Sequence, residues 1–204
     1  MAVQNGVPKT PAFSPRSLLL VFVAVCAITG GNLWINRGAP PLGYAVFSNF
    51  GFSIAHPQDM YINTGAFIDA YPSSESGQLQ GSRQGAGLEQ FGVFWVTVDS
   101  TIDLEALLDT IFETAEAENA EGFIKHRGAL ETMTKGGHVR LYQGFEILDN
   151  DIVIPGVIGA WHCGENGKAY VLYLVKLPDL AHPERQPANL LGDWERYISG
   201  FECH

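Results

Sequence analysis

The chain has 204 residues, 46% of them hydrophobic and 11% aromatic, which is enough for one targeting or membrane segment plus one well-cored domain and too little for two ordinary domains. Its formal charge is −10, and the sign is unevenly spread: Lys9 and Arg16 lie in the first 36 residues, whereas from residue 37 onward 10 basic residues face 22 acidic ones, a balance of −12. A surface of that sign repels phosphate backbones and anionic headgroups, which excludes nucleic acid as a partner. It fits either plain solubility or a docking face for a basic protein.

Residues 1–16 are polar, contain Pro8, Pro11 and Pro15, and carry only positive charge; they are predicted to be a disordered tail on the cytoplasmic side. Residues 17–35, SLLLVFVAVCAITGGNLWI, are free of charge and just long enough to span a bilayer. Positive charge before them and net negative charge after them orient the chain with its N-terminus inside and the domain exported, with Trp34 at the far interface. Three fates fit the segment. It is a retained single-span anchor, a signal peptide cleaved among the small residues from Ala27 to Gly31, or a lipoprotein leader with Cys26 as the lipidated residue. In the last case Val25 departs from the small residue normally found before the cysteine. Residues 36–43, with Pro40 and Pro41, read as a stiff linker.

The remainder, 44–204, is predicted to be one exported domain. Tyr44 to Phe47 and Phe50 to His56 suggest a strand pair broken at Ser48-Asn49. Residues 58–88 are rich in Gly, Ser, Gln and Asn and suggest short edge strands and a mobile loop, and Leu88 to Val98 is a strand apolar on both faces. Leu104, Leu107, Leu108, Ile111, Phe112 and Ala115 recur at helical spacing and predict one amphipathic helix, with Ser100 and Asp103 as start signals and Gly122 as a stop. The stretch Gly137 to Leu177 then reads as three strands. In the first, Val139, Leu141, Phe145 and Ile147 alternate with His138, Arg140, Tyr142 and Glu146, which predicts one buried face and one that meets water or a helix edge. The other two are apolar on both faces, separated by Asn166-Gly167, a preferred hairpin pair. After a proline-interrupted loop, Leu190, Leu191, Trp194, Tyr197, Ile198 and Phe201 predict a closing helix. The expected class is α+β, a mostly antiparallel sheet flanked by helices.

The combination of FSNFGFSIAHPQDM, the helix around DLEALLD, the hairpin GALETMTKGGHVRLYQGFEI and the ending WERYISGFEC resembles the PsbP-like (Mog1/PsbP) superfamily over about residues 45–203. The resemblance implies an α-β-α sandwich used as an extracytoplasmic accessory or binding module. Its namesake members assist a photosynthetic complex and a small GTPase, respectively. It carries no catalytic signature and transfers no site residue.

Two cysteines outside the leader, Cys163 at the end of a strand and Cys203 after the last helix, are expected to form a disulfide in an exported protein. A metal site from His162-Cys163 and Cys203-His204 is disfavoured, because adjacent strand residues point to opposite faces. GSRQGAG, with Gly81, Gly85 and Gly87, lacks the strand before, the helix after and the Lys-Ser/Thr ending of a phosphate loop. Asp149-Asn150-Asp151 lacks the Gly and distant Glu of a calcium loop. The six histidines form no His-x-x-x-His pair, and there is no Gly-x-Ser-x-Gly elbow. The sequence therefore predicts a non-enzymatic protein with no cofactor. The first functional reading is a membrane-anchored accessory module that docks on a membrane protein complex, with Glu105, Asp109, Glu113 and Glu116 on the outer helix face as the docking surface. The second is a small-ligand-binding module with a cleft near Trp95, Trp161 and Tyr173.

Overall fold

A computed structural model describes residues 42–67, 71–84, 88–98, 102–119, 123–149, 151–177 and 189–204. The predicted tail, the 17–35 segment with Cys26, most of the linker, residues 85–87 and the proline loop from 178 to 188 lie outside these residues. Among the described residues no helix is long and apolar enough to cross a membrane. The chain divides into two units, Met1–Gly30 and Gly31–His204, and every described residue belongs to the second.

The elements in chain order are β1 (Tyr44–Asn49), β2 (Phe52–Pro57), β3 (Tyr61–Gly65), β4 (Ser76–Gln84), β5 (Leu88–Thr97), helix α1 (Leu104–Glu118), β6 (Ile124–Arg127), β7 (Glu131–Lys135), β8 (His138–Asp149), β9 (Ile152–Cys163), β10 (Lys168–Lys176), helix α2 (Leu190–Ser199) and β11 (Phe201–Cys203). Every pairing between strands is antiparallel. An eight-stranded sheet runs β3-β4-β5-β10-β9-β8-β6, with β7 also on β8, and a three-stranded sheet runs β1-β2-β11. This is the expected α+β class, a mostly antiparallel sheet with two helices.

The strand pleat divides the core into two halves. On β10, Tyr170, Leu172 and Leu174 point into one cluster with Trp95, Trp161, Phe52, Trp194 and Phe201, beneath the small sheet and α2. Val171 and Val175 point the other way, into a cluster with Phe145, Ile158, Leu108 and Phe112 beneath α1. Helix α1 is the predicted stripe. Its N-cap is Asp103, whose carboxylate accepts from the amides of Glu105 and Ala106. Asn119 closes it, and the predicted start and stop residues Ser100 and Gly122 lie outside the described residues. Helix α2 ends earlier than the apolar pattern suggested. Gly200 packs against Ala55, its amide continuing the helical bonds, and Phe201 leaves as the first residue of β11, paired with Ile54 and stacked on Phe52 at 5.2 Å.

Glycines facing aromatic rings explain why part of this sheet was hard to read. Gly77 pairs with Trp95 and Gly81 with Phe91 across β4 and β5, Gly92 with Tyr173 across β5 and β10, and Gly156 with Phe145 across β8 and β9. In each pair the ring occupies the space beside the glycine, where a Cβ would overlap it. Thus β4, predicted as short edge strand and loop, is a nine-residue interior strand whose lack of side chains makes room for its neighbour's rings. Gly81→Ala is expected to cost about 1–3 kcal/mol, because Phe91 is held by stacking on Tyr197 at 4.7 Å and cannot swing aside. Urea denaturation measures it, and an unchanged midpoint would contradict the tight fit.

The first hairpin turns at Phe50-Gly51, two residues beyond the predicted break. Both residues have positive φ, 54° and 83°, the geometry of a two-residue hairpin loop. Phenylalanine is an unusual first residue for such a loop. It is held by stacking on Trp95 at 4.9 Å, by the side chain of Asn49 accepting from its amide, and by Lys168 Nζ donating to its carbonyl at 2.7 Å.

Candidate functional site

The outer face of α1 presents Glu105, Glu113 and Glu116 exposed and Asp109 half-buried. Asp109 pairs with Arg127 of β6, whose guanidinium also lies 4.3 Å above the Phe112 ring. The other three make no ion pair among the described residues. A recess of about 200 Å³ opens beside this face, lined by Glu105, Leu108, Arg127, Gly128, Leu130 and Gln143. With its amide turned, buried Gln143 donates to the Gly128 carbonyl at 3.3 Å and accepts from Arg127 at 3.2 Å, so the polar floor of the recess is occupied by its own contacts.

The aromatic trio predicted as a ligand cleft does not come together. Trp95 and Trp161 are fully buried on the α2 side of the sheet. Tyr173 packs on the opposite face with the α1 cluster, its pKa pushed up to about 12 by burial. Protein rings fill the space a ligand would need. Phe50 and Phe52 lie against Trp95 at 4.9 and 5.3 Å, and Tyr170 and Phe201 against Trp161 at 5.7 and 4.9 Å. Residue periodicity located these side chains on strands but could not say which cross-strand neighbours would cover them.

Cys163 and Cys203 are joined in a disulfide, with Cα atoms 6.6 Å apart, linking the end of β9 to β11. Around it the turn of the first hairpin meets the β9–β10 loop. Asn166 Nδ2 donates to the Gly51 carbonyl at 2.9 Å and to Tyr170 Oη at 2.8 Å, and the His204 amide donates to the Gly51 carbonyl at 2.9 Å. Asn166-Gly167 does connect β9 to β10, though as the second half of a four-residue loop in which the Gly167 amide donates back to Cys163. His138 Nε2 lies 3.7 Å from Cys203 Sγ. The histidine that approaches the sulfurs is thus on β8, and neither His162 nor His204 belongs to the cluster.

Buried charges were missed by the sequence reading. Arg140 was expected to meet water or a helix edge but is 1% exposed, because α2 covers the β8 face on which it and Tyr142 lie, with Tyr142 stacked on Trp194 at 5.7 Å. On the same strand Val139, expected inside, is 60% exposed. The Arg140 guanidinium lies 5.1 Å from the Trp161 ring centroid and donates to the carbonyls of Lys135 and His138, while its Nε has no partner. Burial lowers its pKa to about 10. Lys168 is 7% exposed, and burial lowers its pKa as well. On the far side of α2, Glu89 accepts from Arg83 and Tyr197 and pairs with Lys176, which also pairs with Asp193. A lone charge in an apolar strand was the available signal for Arg140 and Lys168, and by itself it also fits a solvated strand end.

No known family matches the chain, and no curated protein matches it. Among solved structures it is similar to the Pseudomonas aeruginosa protein PA94, of unknown function, at 12% identity, covering 76% of this chain and 94% of that one with a TM-score of 0.35.

Proposed function

We propose that the chain is a membrane-tethered, non-enzymatic accessory module of Mog1/PsbP-like architecture, whose exported domain docks on a membrane protein complex through the acidic face of α1. The observation that carries this reading is the uncompensated charge on that helix. Glu113 and Glu116 lie toward its C-terminal end, where the helix dipole disfavours anions, and its last turn holds no basic residue. A helix serving only to cover the sheet gains nothing from that arrangement, whereas a basic partner surface would neutralise it. The disulfide supports an oxidising compartment, and the uncharged 17–35 segment supports the tether. The ligand-binding alternative finds less support. Its aromatic trio is split between two faces, and the recess beside α1 is below the roughly 300–1,000 Å³ of ordinary small-molecule sites.

Cross-linking and purification from gently solubilised membranes test the proposal. The expected result is a partner with a basic surface, released by raised salt. Glu113→Lys with Glu116→Lys is expected to weaken capture about tenfold or more through like-charge repulsion. Recovery of the protein alone, or capture unchanged by the double reversal, would count against the docking face.

A further inference from the structure

We infer that His138, Cys163 and Cys203 form a redox-gated site for a soft, thiophilic cation, Cu(I), which becomes available when the Cys163–Cys203 disulfide is reduced. The three potential donor atoms lie within 4.8 Å of one another, and each comes from a different strand: β8, β9 and β11. Two thiolates and one imidazole suit a three-coordinate soft ion. Structural zinc would need a fourth ligand, which no Cys, His, Asp or Glu among the described residues supplies to this cluster.

The charges around the sulfurs favour the same ion. Lys168 is the direct cross-strand partner of Cys163, and Arg140 is the partner of Trp161, two residues before Cys163 on the same strand, so both cations lie on the cysteine's face of the sheet. Neither has a carboxylate partner among the described residues. A Cu(I) bis-thiolate carries one net negative charge, which two buried cations stabilise, whereas a zinc bis-thiolate is neutral and draws nothing from them. With the disulfide closed, the same cations face carbonyls and a ring among the described residues.

The gating step is thiol–disulfide exchange with a dithiol reductant. The dithiol supplies two electrons and two protons, breaking the Cys163–Cys203 bond, and departs as its own disulfide. On binding, Cu(I) replaces the two thiol protons, which pass to solvent.

The site is independent of the α1 docking face. The full chain is reduced with dithiothreitol, freed of it anaerobically and titrated with Cu(I) against a chromophoric chelator. One equivalent bound by the reduced protein and none by the oxidised protein is the expected result. His138→Ala, whose fold is verified with the disulfide closed, is expected to bind at least about tenfold more weakly, and alkylation of both thiols to abolish binding. Equal binding by oxidised and reduced protein, an unchanged affinity in His138→Ala, or displacement of Cu(I) by an equal concentration of Zn(II) would each overturn the assignment.

Discussion

Glu89→Ala is expected to lower the stability of the domain by about 3 kcal/mol at neutral pH, as read from chemical denaturation. Glu89 is 8% exposed in β5 and stands between Arg83 of β4 and Lys176 of β10, its direct partners in the two neighbouring ladders. Its carboxylate takes Arg83 at 2.9 Å, Lys176 at 3.2 Å and the Tyr197 hydroxyl of α2 at 2.8 Å. Removing it leaves two cations and a buried phenol facing a void, but the loss falls at the low end for a broken buried pair. Arg83 keeps Asp59 at 3.5 Å, and Lys176 keeps Asp193. Burial alone would raise the Glu89 pKa. The hydrogen bonds from Arg83 and Tyr197 and the charges of Lys176 and Arg83 outweigh it, so the folded carboxyl titrates below its ordinary value of 4.5. A depressed carboxylate stabilises the fold fully above the unfolded pKa, and its contribution is lost as pH falls through the lower, folded value. Glu89→Gln should therefore flatten the acid limb of the stability curve below about pH 5. An unchanged midpoint in Glu89→Ala, or an identical acid limb in Glu89→Gln, would show that the cluster does not hold α2 to the sheet.

Where residues obey a single period, the fold was legible in the sequence. The α1 stripe from Leu104 to Ala115, the runs that became β5, β9 and β10, and the cysteine pair all describe elements whose burial depends on one face or on sheer apolar content. Two things defeated that reading. On β4 the residues that matter are glycines, and what makes Gly77 and Gly81 strand residues is the size of Trp95 and Phe91 on the neighbouring strand, a fact of pairing that local composition cannot carry. On β8 the alternation places Leu141, Phe145 and Ile147 inside, as expected, but does not show that the other face is covered as well. Each face is covered over a different part of the strand, by α1 at Phe145 and by α2 at Tyr142, so Arg140 is inside and Val139 outside.

The candidate site divides in the same way. The acidic residues of α1 were found because a helix exposes every third or fourth position, and three of the four remain without an ion pair among the described residues. Asp109 is the exception, since β6 brings Arg127 to it from 18 residues away. His138 could not be placed beside the sulfurs from sequence. Beyond the local β8–β9 hairpin, its approach requires β11 to return beside β2, a long-range pairing with no local signature.

Opening the Cys163–Cys203 bond is expected to cost about 4 kcal/mol, lowering the melting temperature by roughly 10 °C or more. The sequence separation of 40 sets that scale, because the cross-link removes from the unfolded chain the freedom of a loop of that length. In the folded state little else depends on it. β11 has three register pairs with β2, Phe201 stacks on Phe52 and meets Trp161 edge-on, and the His204 amide donates to the Gly51 carbonyl. Those contacts predict that the reduced protein remains folded at room temperature with its near-ultraviolet circular dichroism largely intact, while unfolding at lower denaturant. Reduced wild type and Cys163→Ala with Cys203→Ala should melt close together, since both lack the constraint on the unfolded chain. A double variant as stable as the oxidised protein would show that the bond adds nothing. A reduced protein that loses its aromatic signal outright would show instead that β11 is held by the sulfurs alone. Cu(I) added to the reduced form should then recover stability in proportion to the logarithm of its free concentration, since only the folded chain brings the three donors of the site together.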